Sequence, residues 1–166
     1  MKKILIALAV LSLTACIPNP FAADELFYSN SFESMEDLDE WGFSEQYLAD
    51  DPAPGGGEKA VKITGGCIRP TAYIDFPSDC NGYYKLNFWA KVIEENQSGM
   101  VALSARKGSE IFSSDEVQVE KHSWTHHEGD KVLFCPKGYS LRLEVHIGGI
   151  IPASMMLDLV EIKKTG

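Results

Sequence analysis

The chain has 166 residues, with 24 acidic and 15 basic side chains and a formal net charge of −9. This excess of negative charge disfavours nucleic acid and anionic lipid surfaces as binding partners, because both carry the same sign of charge. The length suits one domain with a hydrophobic core.

The first residues predict a bacterial lipoprotein signal peptide. A positive n-region of two lysines, an apolar h-region of residues 4–13 and the small residue Ala15 precede Cys16. The apolar run is shorter than the ~20 residues that cross a bilayer, so a membrane-spanning helix is not expected. An ordinary secretory signal is the alternative, but a cleavage site near residues 22–23 would lack the small residue upstream.

We therefore predict that residues 1–15 are removed and that Cys16 becomes the lipidated first residue, held at the membrane by its lipid alone. Ile17 is not the aspartate that resembles an inner-membrane retention signal, which favours the bacterial outer membrane, on its periplasmic or its outer side. Residues 16–25 then comprise the lipidated cysteine and a proline-containing tether, and residues 26–166 form the folded domain.

Downstream of residue 26, short strand patterns alternate with turn clusters, which predicts an all-β sandwich or barrel. One short helix is expected over residues 34–41, with Ser34 as its N-cap and Gly42 as its stop. The predicted turns occupy residues 51–57, 77–79, 96–99 and 136–138.

Alternation along the predicted strands separates core residues from surface residues. In residues 83–92 the inward set is Tyr84, Leu86, Phe88, Ala90 and Val92, and Trp89 points outward. Residues 68–76 and 140–147 alternate in the same way, with Leu141, Leu143, Val145 and Ile147 inward in the second strand. The outward side chains of these two strands are rich in recognition chemistry: Arg69, Tyr73, Asp75, Arg142, Glu144 and His146.

Three cysteines follow Cys16, an odd number for an oxidising compartment, where one disulfide and one free thiol are expected. A pair between Cys67 and Cys80 is disfavoured, because the strand predicted between them would hold them roughly 30 Å apart. A disulfide tolerates Cα separations only up to about 7 Å.

Several segments resemble the jelly-roll carbohydrate-binding modules of the galactose-binding-like group, including those that bind xylan and β-glucans. They are Asn-Ser-Phe-Glu at 30–33 followed by Trp41, Tyr-Lys-Leu-Asn-Phe-Trp-Ala-Lys at 84–91, Trp124 with residues 138–145, and Met-Leu-Asp-Leu-Val-Glu-Ile at 156–162. The resemblance extends over nearly all of residues 26–163. It implies a two-sheet antiparallel jelly-roll β-sandwich with a concave face that accommodates a glycan.

The resemblance also implies a structural calcium ion near the chain ends. Its ligands would be the glutamate of the first segment and the aspartate of the last, here Glu33 and Asp158, and such oxygen ligands suit calcium. The sequence departs from the group at Leu159, where a second aspartate is common.

The topology of the same group bears on the cysteines and tryptophans. It brings the loop that holds Cys80 close to Cys135, which implies a disulfide between them and leaves Cys67 free. Trp41 and Trp124 correspond to core or sheet-edge positions of the group, so we expect them to be buried rather than to serve as stacking platforms.

On this fold, the outward side chains of residues 68–76 and 140–147 are expected to converge on the concave face and bind a carbohydrate. Tyr73 would stack on a sugar ring, flanking arginine and glutamate would bind its hydroxyls, and Trp89 would supply a second platform. Few aromatic and many charged side chains lie on this face, which favours an acidic or modified glycan, or a protein.

Catalysis and zinc binding are not expected. The sequence contains no nucleophile elbow or other catalytic motif. His122 and His126 are four residues apart, a spacing that places ligands on one face only in a helix. This stretch is predicted as turn and strand, in which His126 and His127 point to opposite faces. The predicted function is therefore a membrane-anchored, non-catalytic lipoprotein that binds a glycan; the alternative is an envelope lipoprotein whose sandwich is a scaffold for protein contacts.

Overall fold

The computed structural model describes residues 24–67 and 70–165, apart from the side chains of residues 77–79. Most of the described chain is β-structure, and little of it is helical. Its helical segments are α1 (Met35–Asp39) and a 3₁₀ turn (Glu45–Tyr47). Its strands are β1 (Glu25–Asn30), β2 (Leu48–Ala49), β3 (Ala60–Gly65), β4 (Ala72–Val92), β5 (Gly99–Lys107), β6 (Glu110–Val119), β7 (Thr125–Glu128), β8 (Leu133–Ile147) and β9 (Ala153–Thr165).

Antiparallel pairing joins these strands into one sheet that folds into two layers, because β4 and β8 each contribute to both. In layer A, residues 72–76 of β4 pair with residues 141–145 of β8. Residues 140–147 of β8 pair on their other side with β5, which pairs with β6. In layer B, residues 82–92 of β4 pair with β9, which pairs on its other side with β1 and β3. Strands β2 and β7 and residues 133–135 of β8 complete layer B. The all-β sandwich prediction is confirmed.

Two of the predicted turns are wrong. Residues 77–79 lie inside β4 and residues 136–138 lie inside β8, where the pairing of the two strands shifts register on both sides of Cys80. The proline and glycine in these segments do not reverse the chain. They mark an irregularity in the pairing, at which the two strands pass from one layer to the other. The other two predicted turns are present as loops. A strand was predicted over residues 68–76, but β4 begins only at Ala72. Residues 68 and 69 lie outside the described residues.

The predicted short helix is confirmed as α1. Ser34 is its N-cap: the Asp37 backbone N–H donates to Ser34 Oγ, and the Ser34 N–H donates to the Asp37 carboxylate. Gly42 follows the helix with φ +66°, a conformation that glycine adopts without strain. Within the described ranges, no helix has the length and apolarity that crossing a bilayer requires.

The core lies between the two layers, and the predicted alternation is confirmed. Every side chain assigned to the interior in residues 83–92 and 140–147 is buried. Trp41 is buried as predicted, with its ring centroid 5.9 Å from that of Phe32. Trp124 is only half-buried, because it lies at the sheet edge, where its Nε1 donates to Asp51.

Cys80 and Cys135 form the predicted disulfide, with Cα atoms 5.8 Å apart, and Cys67 is free and exposed. The bond joins β4 to β8 at the point where both strands pass from one layer to the other, since Cys80 pairs with Tyr139 and Gly82 with Cys135. The disulfide therefore fixes the corner of the sandwich.

Replacing both Cys80 and Cys135 with serine should lower the free energy of unfolding by about 4 kcal/mol, because the unfolded chain is no longer cross-linked over a large loop. Denaturant unfolding of the full chain measures the change. Cys67→Ser is the matched control and should alter stability by less than about 0.5 kcal/mol. A double variant as stable as this control would show that the cross-link contributes nothing to the fold.

Candidate functional site

Five of the predicted site residues meet on the outer face of layer A. In the register between β4 and β8, Tyr73 lies opposite Glu144 and Asp75 lies opposite Arg142, and His146 follows on the same face of β8. The neighbouring strand β5 adds Arg106 through its ion pair with Glu144. We call this surface the polar face: Tyr73, Asp75, Arg106, Arg142, Glu144 and His146.

Ion pairs organise the polar face around Glu144, whose side chain is only 7% exposed although it points away from the core. Arg106 Nη2 donates to Glu144 Oε2 at 2.9 Å, and Arg142 Nη1 lies 3.6 Å from Glu144 Oε1. His146 Nε2 lies 3.4 Å from Glu144 Oε2. A carboxylate is tolerated at such a depth because it is paired, and here two guanidinium groups cover it.

Arg142 links Glu144 to the other members of the polar face. Its Nε and Nη2 donate to the two carboxylate oxygens of Asp75 at 2.6 and 2.7 Å, a bidentate pair. The hydrogen bonds to Asp75 raise the pKa of Arg142 above its ordinary value. Its Cζ also lies 4.4 Å from the centroid of the Tyr73 ring, within cation–π distance. Tyr73 is thus fixed in orientation while remaining 48% exposed.

A groove of about 670 Å³ runs beside the polar face, between the edge of residues 72–75 and residues 39–47. Tyr73 and Asp75 line it and so belong to both the groove and the polar face. On the opposite wall Phe43 stacks on Tyr47 with ring centroids 4.8 Å apart. The groove therefore offers aromatic walls and carboxylate oxygens together.

Two predicted site residues are not part of the polar face. Arg69 lies outside the described residues. Trp89 lies on the outer face of layer B, on the far side of the core, because β4 changes layers between Tyr73 and Trp89. There the Trp89 ring packs 5.4 Å from His126. His127 faces the other side of β7, as the strand pattern predicted, and its ring stacks on that of Phe88.

Arg106 and the aromatic wall of the groove were not predicted from the sequence. Alternation within β5 would have placed Arg106 outward, but nothing local in the sequence indicates that β5 lies beside β8. Phe43 and Tyr47 follow α1 in a stretch without a clear period, so their position depends on how this stretch packs against the core.

The two predicted calcium ligands lie beside the loop of residues 51–57. Asp158 Oδ2 accepts a hydrogen bond from the Ala53 N–H at 2.9 Å, and Glu33 Oε2 accepts one from the Glu58 N–H at 2.9 Å. A Cβ atom at Gly56 would clash with Asp158 and one at Gly57 with Glu33, so these glycines let both carboxylates approach the backbone.

The electrostatics of this pair suit a bound cation. Asp158 is fully buried and has no cationic side-chain partner among the ion pairs of the described chain. Burial raises the pKa of Asp158 and the charge of Glu33 raises it further, while hydrogen bonds from backbone N–H groups lower it. The adjacent Phe32 and Leu159 have φ of +54° and +48°, which only tightly determined surroundings maintain.

Only two carboxylates contribute here, and the described residues contain no group of three or more His, Cys, Asp or Glu arranged for a metal. Calcium takes six to eight oxygen ligands. Glu33 and Asp158 therefore fit calcium on condition that backbone carbonyl groups and water supply the remaining oxygens.

No family model matches the chain, and no curated protein matches it in sequence. Similar solved structures do exist. The CBM22-1–GH10 modules of Clostridium thermocellum endo-1,4-β-D-xylanase 10B, complexed with xylohexaose, align with a TM-score of 0.62 and 16% identity over 87% of this chain and 29% of that chain. This chain thus spans less than a third of that protein.

Two single modules align over nearly their whole length. The CBM22-1 xylan-binding domain of Paenibacillus barcinonensis Xyn10C gives a TM-score of 0.57 and 17% identity over 87% of this chain and 98% of that chain. A xylan-binding domain from CBM 22 aligns with a TM-score of 0.59 and 16% identity over 86% of this chain and 96% of that chain. At such low identity the likeness shows the fold alone. The chain has the jelly-roll β-sandwich fold of these carbohydrate-binding modules.

Proposed function

We propose that this protein is a membrane-anchored, non-catalytic lipoprotein that binds a carbohydrate on the polar face. The observation that carries the proposal is the arrangement of Tyr73 over Arg142, with Asp75 and Glu144 paired to the same guanidinium, on the outer face of layer A. The structural neighbours, which are named as carbohydrate-binding or xylan-binding domains, support the same assignment.

The chemistry of the polar face suits a sugar. A half-exposed tyrosine ring offers a flat apolar surface to the C–H face of a pyranose. Arginine and carboxylate groups held in bidentate pairs keep free donor and acceptor directions for vicinal hydroxyl groups. The groove beside Tyr73 and Asp75 extends this surface, so neighbouring sugar units along a chain have aromatic walls to contact.

The ion pairs favour a neutral glycan over an acidic one. Arg106 and Arg142 are the cations that the polar face contributes, and Glu144 and Asp75 partner both of them. An acidic sugar would have to compete with these carboxylates for each guanidinium, whereas hydroxyl groups add to existing pairs. The sequence had favoured an acidic or modified glycan, or a protein, because it shows the charges of this face but not that they pair with one another. The ion pairs change that expectation to a neutral glycan.

Tyr73→Ala should weaken binding of xylohexaose, or of another neutral β-linked oligosaccharide that a glycan array selects, by tenfold or more, which corresponds to about 1.4 kcal/mol. Loss of the stacking surface is the physical reason. Isothermal titration of the full chain measures it. Trp89→Ala, an aromatic change on the opposite layer, is the matched control and should change affinity by no more than about twofold.

If Trp89→Ala abolished binding and Tyr73→Ala did not, the ligand would occupy layer B and the proposed face would be wrong. An array in which the full chain binds no glycan, neutral or acidic, would rule out carbohydrate binding altogether.

We propose that Glu33 and Asp158 hold a structural calcium ion that joins the first and last segments of the sandwich. Without a cation, the raised pKa of Asp158 means that the folded state binds this proton more tightly than the unfolded chain does. The stability that Asp158 contributes then falls as the pH rises from the ordinary pKa of aspartate through the raised pKa of Asp158. A bound calcium ion would compensate the negative charges of ionised Glu33 and Asp158 and remove this loss.

Adding calcium at about 100 times its dissociation constant to chelator-treated full chain should raise the free energy of unfolding by about 2.7 kcal/mol. Glu33→Gln and Asp158→Asn should each remove this increment. Glu36→Gln, an exposed glutamate on α1, should retain it. The increment should shrink as the pH falls into the range where Asp158 takes up its proton. Thermal unfolding with and without calcium checks these outcomes, and an equal increment in all three variants would contradict the assignment.

The membrane anchor rests on Cys16 and the residues before it, which lie outside the described residues. In bacterial cells fed a fatty acid with a chemical handle, the full chain should incorporate the label and lose residues 1–15, as mass spectrometry of the product measures. Cys16→Ser should lose the label and Cys67→Ser should keep it. A labelled Cys16→Ser chain, or an unlabelled parent chain, would contradict lipidation at this cysteine.

A further inference from the structure

One end of the sandwich exposes a cluster of large apolar side chains that the polar face does not use. Tyr83, Phe112 and Phe134 are 51%, 52% and 37% exposed. The ring centroid of Phe134 lies 5.0 Å from that of Tyr83 and 6.1 Å from that of Phe112, so the three rings form one surface. We call these three residues the aromatic end.

The rings of the aromatic end are poorly arranged for a sugar. Tyr83 and Phe134 are tilted by 40°, and Phe112 meets Phe134 edge to face at 70°. A pyranose stacks on the flat face of a ring, and rings packed against one another at such angles present edges instead of a common plane. The surface is contiguous and apolar, which is typical of a contact with another apolar phase or with a partner.

The aromatic end lies where the folded domain begins. Glu25, the first residue of β1, pairs with Lys164 of β9, which pairs on its other side with Tyr84 of β4. With strands spaced by about 4.8 Å, the start of β1 is roughly 10 Å from the backbone beside Tyr83. Residues 17–23 span at most about 25 Å, so a lipid on Cys16 could not be far from this end of the molecule.

We propose that the aromatic end rests on the lipid bilayer, with Tyr83, Phe112 and Phe134 in the interfacial region; this rests on the proposed lipid anchor at Cys16. Tyrosine and phenylalanine suit that region because their rings are apolar and the tyrosine hydroxyl stays near the headgroups. Binding at an interface grows with the apolar area removed from water. The anchor keeps the surface close, so a modest apolar contact is enough to orient the domain.

This orientation directs the polar face away from the lipid. Tyr139, whose ring centroid lies 5.5 Å from that of Phe112, is seven residues before His146 along β8. Seven residues of strand extend about 23 Å. The polar face therefore runs outward from the aromatic end, where a polysaccharide can reach it.

A second exposed apolar site provides a matched comparison. Ile150 is 96% exposed in the loop between β8 and β9. This loop is at the far end of the sandwich, because β9 runs from Ala153 beside it to Thr165, which pairs with Tyr83. A molecule held by the aromatic end keeps Ile150 out of the bilayer.

The test attaches the protein to vesicles chemically, so that it does not depend on lipidation in cells. In the full chain with Cys67→Ser, Cys16 is the only thiol outside the disulfide and is coupled to a maleimide lipid in phosphatidylcholine vesicles. Phe112→Trp and Ile150→Trp are prepared separately, and Tyr83→Trp serves as a second reporter. The tryptophan emission of each is compared in vesicles with and without bromine on the acyl chains below the headgroup.

Brominated lipid should lower the emission contributed by the tryptophan at 112 or 83 about twofold or more, because an interfacial side chain lies within a few ångströms of the bromine atoms. The emission contributed by the tryptophan at 150 should not change.

Equal quenching at both ends, quenching only at 150, or quenching at neither would overturn the proposal. Quenching at neither, together with loss of a stoichiometric envelope-protein complex on Phe112→Ser, would assign the aromatic end to a protein partner. None of these outcomes measures glycan binding or lipidation in cells, which are tested separately.

Discussion

The passage of β4 and β8 from one layer to the other is the constraint on which the rest of the structure depends. Within residues 83–92 of β4 and 141–147 of β8 apolar inward side chains alternate with outward ones, yet the two halves of each strand face opposite sides of the same core. The disulfide between Cys80 and Cys135 joins the two strands at that passage. The change of layer gives the molecule three separate surfaces: the polar face on layer A, the outer face of layer B, and the aromatic end beside the corner.

The polar face depends on pairing as much as on composition. Glu144 points outward and is nearly buried, a position that a carboxylate occupies only when neighbouring cations cover it. Arg106 and Arg142 do so, and Arg142 then fixes Asp75 and lies over Tyr73. Few side chains in this network are free to reorganise, so a ligand meets a surface whose donors and acceptors are already in place. Preorganisation of this kind supports the proposal that the polar face binds a neutral, hydroxyl-rich ligand.

Local alternation made much of this predictable. The apolar residues of residues 83–92 and 140–147 recur with a period of two, so their burial followed from the sequence, as did the position of Tyr73, Arg142 and Glu144 on one outward face. The burial of Glu144 on that face did not follow, because it depends on the arginines that cover it. The pairing of Cys80 with Cys135 was implied by the resemblance to carbohydrate-binding modules. It could not be obtained from the spacing of the cysteines alone.

The errors have a common physical origin. Proline and glycine at residues 77–79 and 136–138 signal a break in regular pairing, but a turn and an irregular crossing between layers satisfy the same local preference. Taking them as turns concealed the change of layer within β4. As a result Trp89 was assigned to the same face as Tyr73, although the two lie on opposite sides of the core. Arg106 was missed because the adjacency of β5 and β8 is a long-range property.

Glycan binding on the polar face of layer A can be located residue by residue in solution. Isotope-labelled full chain would be titrated with xylohexaose while the shifts of its assigned backbone amide signals are followed. The largest shifts should occur in residues 72–75 and 142–146 and along the groove wall at residues 39–47. Shifts confined to β7 and β9 on layer B, or to the aromatic end, would contradict it.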